Sequence, residues 1–325
     1  MKKILVLIMG LSILLSGCGS GAFAKPIPTP TITATLTSSP TATITPTSTI
    51  TPTFTASPIP TPTWVHQGPD TVQVPILLYH WIAVSQSDGP NYKSPYYVKP
   101  ELFDQEMKLL HDWGYTTITV ELLIKAINEG ADLPPRPVII SFDDGHLNNY
   151  TTAFPIMQKY GFTGVLYIVA NYVGVEDYMN ADQIKEMAAA GWEVGSHTVS
   201  HLDLTALEPQ RQRFEVVESR TLLEEKLGVP IQTIAYPFGI SNSGVIDYAI
   251  FAGYIGGMGL GFTHDQGTTN LYNLQRRDIK GTYDIKQFAG FLPWLGDPVF
   301  LPTDTPTPTV TPSRTPIPTY TLPSP

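Results

Sequence analysis

Between residues 74 and 258, short apolar runs alternate with amphipathic stretches, and that alternation limits the chain to few folds. Val74-Pro75-Ile76-Leu77-Leu78-Tyr79 is a run of buried-strand type. Residues 100–113 follow, with Leu102, Phe103, Met107, Leu109 and Leu110 spaced for one buried helix face and Gly114 to end it. Residues 116–120 are β-branched and predict a strand, and 121–128 predict a helix. The same reading gives strands at 137–142, 164–169, 192–196, 231–236 and 254–258, and helices at 153–160, 181–190, 209–227 and 245–252. Strands alternating with helices imply a parallel sheet covered by helices, and this many units predict closure into a barrel. In such folds the chemistry gathers at the C-terminal ends of the strands.

The flanks cannot join that fold. Of 31 prolines, 17 lie in residues 25–63 and 302–325, in repeats such as Pro28-Thr29-Pro30-Thr31. Proline fixes φ and removes a donor, so these arms predict extended spacers with no core of their own. The expected organisation is a targeting segment at 1–20, a Pro/Thr-rich linker at 21–65, one globular domain at 66–301 and a Pro/Thr-rich tail at 302–325. The net charge is −9, and setting aside Lys2, Lys3, Lys25, Arg314 and Asp304 leaves −12 for the middle. An acidic surface argues against nucleic acid as the partner and permits a neutral or partly cationic sugar polymer.

Lys2 and Lys3 precede an apolar run at 4–15 that is short for a bilayer span. Leu15-Ser16-Gly17-Cys18 then resembles a bacterial lipobox, in which the cysteine is lipidated. Cys18 is the chain's single cysteine, so no intrachain disulfide can form. The expectation is a lipid-anchored protein, exported across a bacterial cytoplasmic membrane and held at the cell surface through Cys18.

Three polar clusters fall at strand ends. Ser141-Phe142-Asp143-Asp144-Gly145 closes one strand, and two adjacent carboxylates there are costly unless partnered, although Asp-Asp-Gly alone reads as a turn. His197-Thr198-Val199-Ser200-His201 holds two histidines four apart, able to converge on a metal or simply to be hydrogen-bonded. Ala235-Tyr236-Pro237-Phe238-Gly239 by itself says only turn. Two imidazoles and a carboxylate form a borderline-metal ligand set, and a second carboxylate beside them can take a proton from water.

In this order the three clusters resemble the NodB-homology polysaccharide deacetylases, carbohydrate esterase family 4. The resemblance implies a distorted (β/α) barrel of about seven strands and metal-dependent removal of N-acetyl groups. It also implies Asp144, His197 and His201 as ligands of one divalent ion, zinc foremost, with cobalt, manganese, nickel or iron as alternatives. By the same resemblance Asp143 is the general base, and backbone donors near Tyr236, Pro237 and Phe238 face the oxyanion.

Many family members carry a late Leu-x-His acid motif that this chain lacks. Its opening, Leu77-Leu78-Tyr79-His80, instead resembles the permuted subgroup containing poly-N-acetylglucosamine deacetylases, making His80 the expected general acid or, alternatively, a polar strand cap. Ala235 stands where the family often has arginine. Arg276, in Leu274-Gln275-Arg276-Arg277, resembles a late arginine of the same subgroup, to orient Asp143 or touch substrate, unless it is a solvated surface arginine. His146 follows the turn with no assigned role, Trp81 suits a sugar platform or the core equally, and His66 belongs to the linker. The expected function is a polysaccharide N-deacetylase acting as a monomer on an exopolysaccharide, peptidoglycan or chitin-like polymer. An O-acetyl esterase on xylan-like polymers and a non-catalytic surface carbohydrate-binding protein are the alternatives.

Overall fold

The computed structural model describes residues 63–84 and 94–296. The segment 1–20, Cys18, most of the linker and the tail at 302–325 lie outside the described residues.

Seven short parallel strands carry the domain: β1 (Ile76–Tyr79), β2 (Pro137–Phe142), β3 (Val165–Ile168), β4 (Glu193–Ser196), β5 (Thr233–Ala235), β6 (Gly256–Met258) and β7 (Arg277–Asp278). The sheet order is β6-β5-β4-β3-β2-β1-β7. Just before β7, Leu274 bridges Met258 in parallel, its N–H donating to Gly257 O at 2.8 Å and its carbonyl accepting from the Gly259 N–H at 2.9 Å. Those bonds curl the seven strands into a distorted barrel.

Side chains alternate across the strands, as the pleat requires. Leu77, Tyr79, Ile140, Phe142, Leu166 and Ile168 face outward into a core with the helices. Ile76, Ile139, Val165, Tyr167, Ala235 and Met258 form a second cluster inside the ring. Tyr167 is the large side chain of that interior, and Gly195 makes room for it. A Cβ at Gly195 would stand 2.4 Å from the Tyr167 ring.

The helices that cover the ring are α1 (Pro100–Asp112), α2 (Val120–Glu129), α3 (Phe154–Lys159), α4 (Ala181–Ala189), α5 (Pro209–Arg213), α6 (Ser219–Leu227), α7 (Ser243–Phe251) and α8 (Ile285–Ala289). α1 buries Phe103, Glu106, Met107 and Leu110, so a carboxyl sits in the apolar face read from the sequence. The strand expected over 116–120 is only Thr116–Thr117, because the Thr119 side chain accepts from the Leu122 N–H at 3.1 Å and caps α2. The single helix expected over 209–227 widens into a π turn at Phe214–Glu218, and another π turn, Asn149–Ala153, leads into α3. His66 is no linker residue. It lies on the strand Val65–Gln67, paired antiparallel with Ala131–Leu133.

Candidate metal centre and active site

The parallel registers level the strand ends. Tyr79 pairs with Phe142, Ile168 with Ser196, Ser196 with Ile234, and Ala235 with Met258. The residues that follow, among them His80, Asp143 and His197, therefore emerge at one end of the ring. They line a cavity of about 270 Å³ together with Asp144, His201, Phe238 and Arg276.

The backbone bends sharply where the side chains must converge. Asp144 and Gly145 are both left-handed, with φ of 71° and 83°, as are Thr198 at 69° and His201 at 55°. For a non-glycine residue that conformation costs on the order of 1–2 kcal/mol, so other contacts must hold it. Several do. The His201 N–H donates to Thr198 Oγ1 at 3.1 Å, and the Ser200 N–H donates to the buried Glu215 Oε2 at 2.8 Å. The chain after β1 is tethered separately: Asn149 Nδ2 donates to His80 O at 2.7 Å, and the Ile82 N–H donates to Asn148 Oδ1 at 2.9 Å. Glu215 and Asn149 both come from π turns, a form that recurs at functional sites.

Asp144, His197 and His201 converge, their ligand atoms lying within 4.8 Å of one another. Asp144 Oδ1 is 3.6 Å from His197 Nε2 and 3.3 Å from His201 Nε2, and it is buried without a hydrogen-bond partner among the described residues. His197 Nδ1 lies 2.8 Å from Ala235 O; the carbonyl can only accept, so Nδ1 carries hydrogen and the Nε2 lone pair of the neutral ring faces Oδ1. Lone pairs facing lone pairs in a buried site call for a cation between them. Bonds of about 2.0–2.1 Å to a tetrahedral ion put neighbouring ligand atoms about 3.3–3.4 Å apart, close to the 3.3 and 3.6 Å that separate Asp144 Oδ1 from the two imidazole nitrogens. These three residues suit a divalent metal.

Asp143 is buried beside them in a different setting. Arg276 Nη1 donates to its Oδ1 at 2.7 Å and Nη2 to its Oδ2 at 2.8 Å, a two-pronged ion pair. Burial pushes the Asp143 carboxyl up, but Arg276 and then His197 outweigh it and hold it below the ordinary carboxylate range. Arg276 is 1% exposed, lies over the Tyr167 ring at 5.3 Å and donates from Nε to Gly259 O, which rules out the solvated-arginine reading. Burial likewise raises Asp144, and the His146 hydrogen bond with the neighbouring histidines brings it well below the usual range. Burial lowers His197 and His80 against the pull of both carboxylates.

His80 borders the same cavity, 4.7 Å from the Tyr96 ring centre, with a buried Nδ1 that has no partner among the described residues. Trp81, half-buried, stacks on Tyr97 and His146. In the third cluster Pro237 has no N–H, the Tyr236 N–H donates to Met258 O, and the Gly239 N–H donates to Tyr236 O. The Tyr236 hydroxyl donates to Tyr272 O, away from the cavity. The Phe238 N–H is the donor that remains, on a left-handed residue (φ 61°) whose ring contacts His201.

Residues 130–256 match the family model described as polysaccharide deacetylase. A Bacillus subtilis (strain 168) protein named as a polysaccharide deacetylase, YxkH, is 32% identical over 224 residues, spanning 68% of this chain and 76% of its own. The chain belongs to the polysaccharide deacetylase family. It is an enzyme of that family, with an Asp-His-His group of metal-binding type. The poly-β-1,6-N-acetyl-D-glucosamine N-deacetylase of Staphylococcus aureus (strain MRSA252) is 28% identical over 215 residues, 60% of this chain and 73% of its own. Among solved structures, the Streptococcus pyogenes deacetylase PplD in complex with acetate superposes with a TM-score of 0.62 at 27% identity, covering 68% of this chain and 98% of that one.

Proposed function

We propose that the protein removes N-acetyl groups from an extracellular polysaccharide that contains N-acetylglucosamine, releasing acetate. The observation that carries this is the adjacency of a cation-ready ligand set, Asp144, His197 and His201, to an ionised Asp143 clamped by Arg276 in one cavity. Asp144, His197 and His201 would hold a divalent cation, zinc in our reading, which would supply Lewis acidity toward the acetyl carbonyl and lower the pKa of water. Asp143 accepts the proton of the attacking water, and Arg276 keeps its carboxylate charged and aimed. The Phe238 N–H donates to the carbonyl oxygen as it gains negative charge. His80 protonates the departing sugar nitrogen, so the amide C–N bond breaks to a free amine and acetate. The similarity to a relative named for poly-β-1,6-N-acetylglucosamine supports a polymer of that sugar. The Leu15-Ser16-Gly17-Cys18 segment supports a lipid anchor at the bacterial surface.

The test is acetate release from N-acetylglucosamine oligomers by the wild type and by Asp143→Asn, before chelation, after it and after zinc return. Release that needs both the cation and Asp143 supports the reading. A zinc-loaded wild type that frees acetate only from O-acetylated xylan would replace it with the esterase reading.

A further inference from the structure

His146 lies two residues beyond Asp144, across the left-handed Gly145, and no step of the proposed reaction uses it. It is 4% exposed. Trp81 stacks on its ring with centroids 4.3 Å apart and planes 26° apart, the Tyr178 ring packs at 5.0 Å, and its backbone bridges that of Tyr178. An imidazole wedged this way has little freedom to turn. Its Nε2 lies 3.0 Å from Asp144 Oδ2. A carboxylate oxygen can only accept, so the hydrogen of that bond sits on Nε2.

The two oxygens of Asp144 therefore have separate tasks. Oδ2 faces His146, whereas Oδ1 faces His197 and His201 and lacks a hydrogen bond among the described residues. A carboxylate free to rotate can bind a cation through one oxygen or both, and the two modes leave different numbers of positions for water and substrate. On the metal-site reading above, we infer that His146 is a positioning residue that fixes Asp144 to offer the cation a single oxygen, Oδ1. Hydrogen bonds of this kind to a ligating group typically change metal affinity 10–100-fold when removed.

The experiment titrates cation into the metal-free full chain against a chromophoric chelator, for wild type, His146→Phe and His146→Gln. Phe keeps an aromatic ring between Trp81 and Tyr178 but cannot donate, whereas Gln restores an N–H donor of similar reach. The expected result is a 10–100-fold weaker affinity for His146→Phe and recovery of most of it by His146→Gln. With cobalt(II) as probe, freeing Oδ2 to bind lowers the visible absorption of the His146→Phe complex, because higher coordination gives weaker bands. The thermal midpoint of each metal-free variant separates loss of positioning from loss of fold. Equal affinity and an unchanged cobalt spectrum in a folded His146→Phe would overturn the inference. So would complete loss of binding that Gln does not restore, which would make the imidazole itself a ligand. A wild type that takes up no cation would instead refute the metal-site reading on which the inference rests.

Discussion

Glu106 offers a quantitative check on the core, away from the reacting atoms. Its carboxyl is fully buried on α1, accepts a 3.0 Å hydrogen bond from the Tyr79 hydroxyl through Oε2, and leaves Oε1 without a partner among the described residues. Burial pushes its pKa from 4.5 up to about 8, with the Tyr79 bond opposing. A carboxyl whose pKa is higher folded than unfolded binds more protons in the native state between those values. Its contribution is complete below about pH 4.5 and is lost as pH rises through about 8. The slope is about 1.4 kcal/mol per pH unit, or about 3 kcal/mol between pH 5 and pH 7. Glu106→Gln has a neutral side chain at every pH and lacks this term. Urea unfolding of both proteins with chelator present, at half-unit steps from pH 5 to pH 9, isolates it. The stability of wild type minus variant should fall steadily to about pH 8 and then level off. A difference that stays flat within about 0.5 kcal/mol would refute the reasoning, because it would mean the carboxyl is already ionised in the fold.

Arg276→Met should cost about 3–5 kcal/mol in chemical denaturation, because it leaves Asp143 buried without its countercharge; Arg276→Lys, which lacks the fork, should fall between. His80→Gln should lower kcat about 10²–10⁴-fold with little change in KM, and should abolish the alkaline decline of kcat expected as the acid loses its proton. An unchanged pH profile would remove His80 from the reaction. Gly195→Ala should destabilise by about 1–3 kcal/mol through overpacking against Tyr167, and should cost less when Tyr167 is also Leu. Additive losses in that double-mutant cycle would exclude the contact as the cause.

The sequence placed six of the seven barrel strands because each is a short apolar or β-branched run, and it placed Asp143, Asp144, His197 and His201 at their ends. β7 carries no such signal. It is two residues long, Arg277 and Asp278, both charged, and tertiary pairing with β1 rather than local composition makes it a strand. Arg276 was legible as a residue but not as a buried one, since a charge loses its desolvation cost only through a partner 133 positions away. Glu106, Asn149 and Glu215 carry no local signal for a related reason: each is a polar residue on a helix or π turn whose acceptor or donor lies on another element. His146 looked like the tail of a turn, and only packing against Trp81 and Tyr178 gives it a direction.

The ion pair between Asp143 and Arg276 joins the second strand of the ring to the approach of the last. During synthesis, residues 143, 144, 197 and 201 all leave the ribosome well before residue 276. A nascent chain thus holds its whole candidate ligand set while the neighbouring carboxylate still lacks a counterion, and two adjacent negative charges oppose early burial of that corner. The segment from Leu274 to Asp278 both closes the barrel and carries the arginine that neutralises the corner. The counterion of Asp143 and the closure of the ring thus reside in one late segment of the chain, and a chain cut short before Arg276 should be inactive rather than weakened.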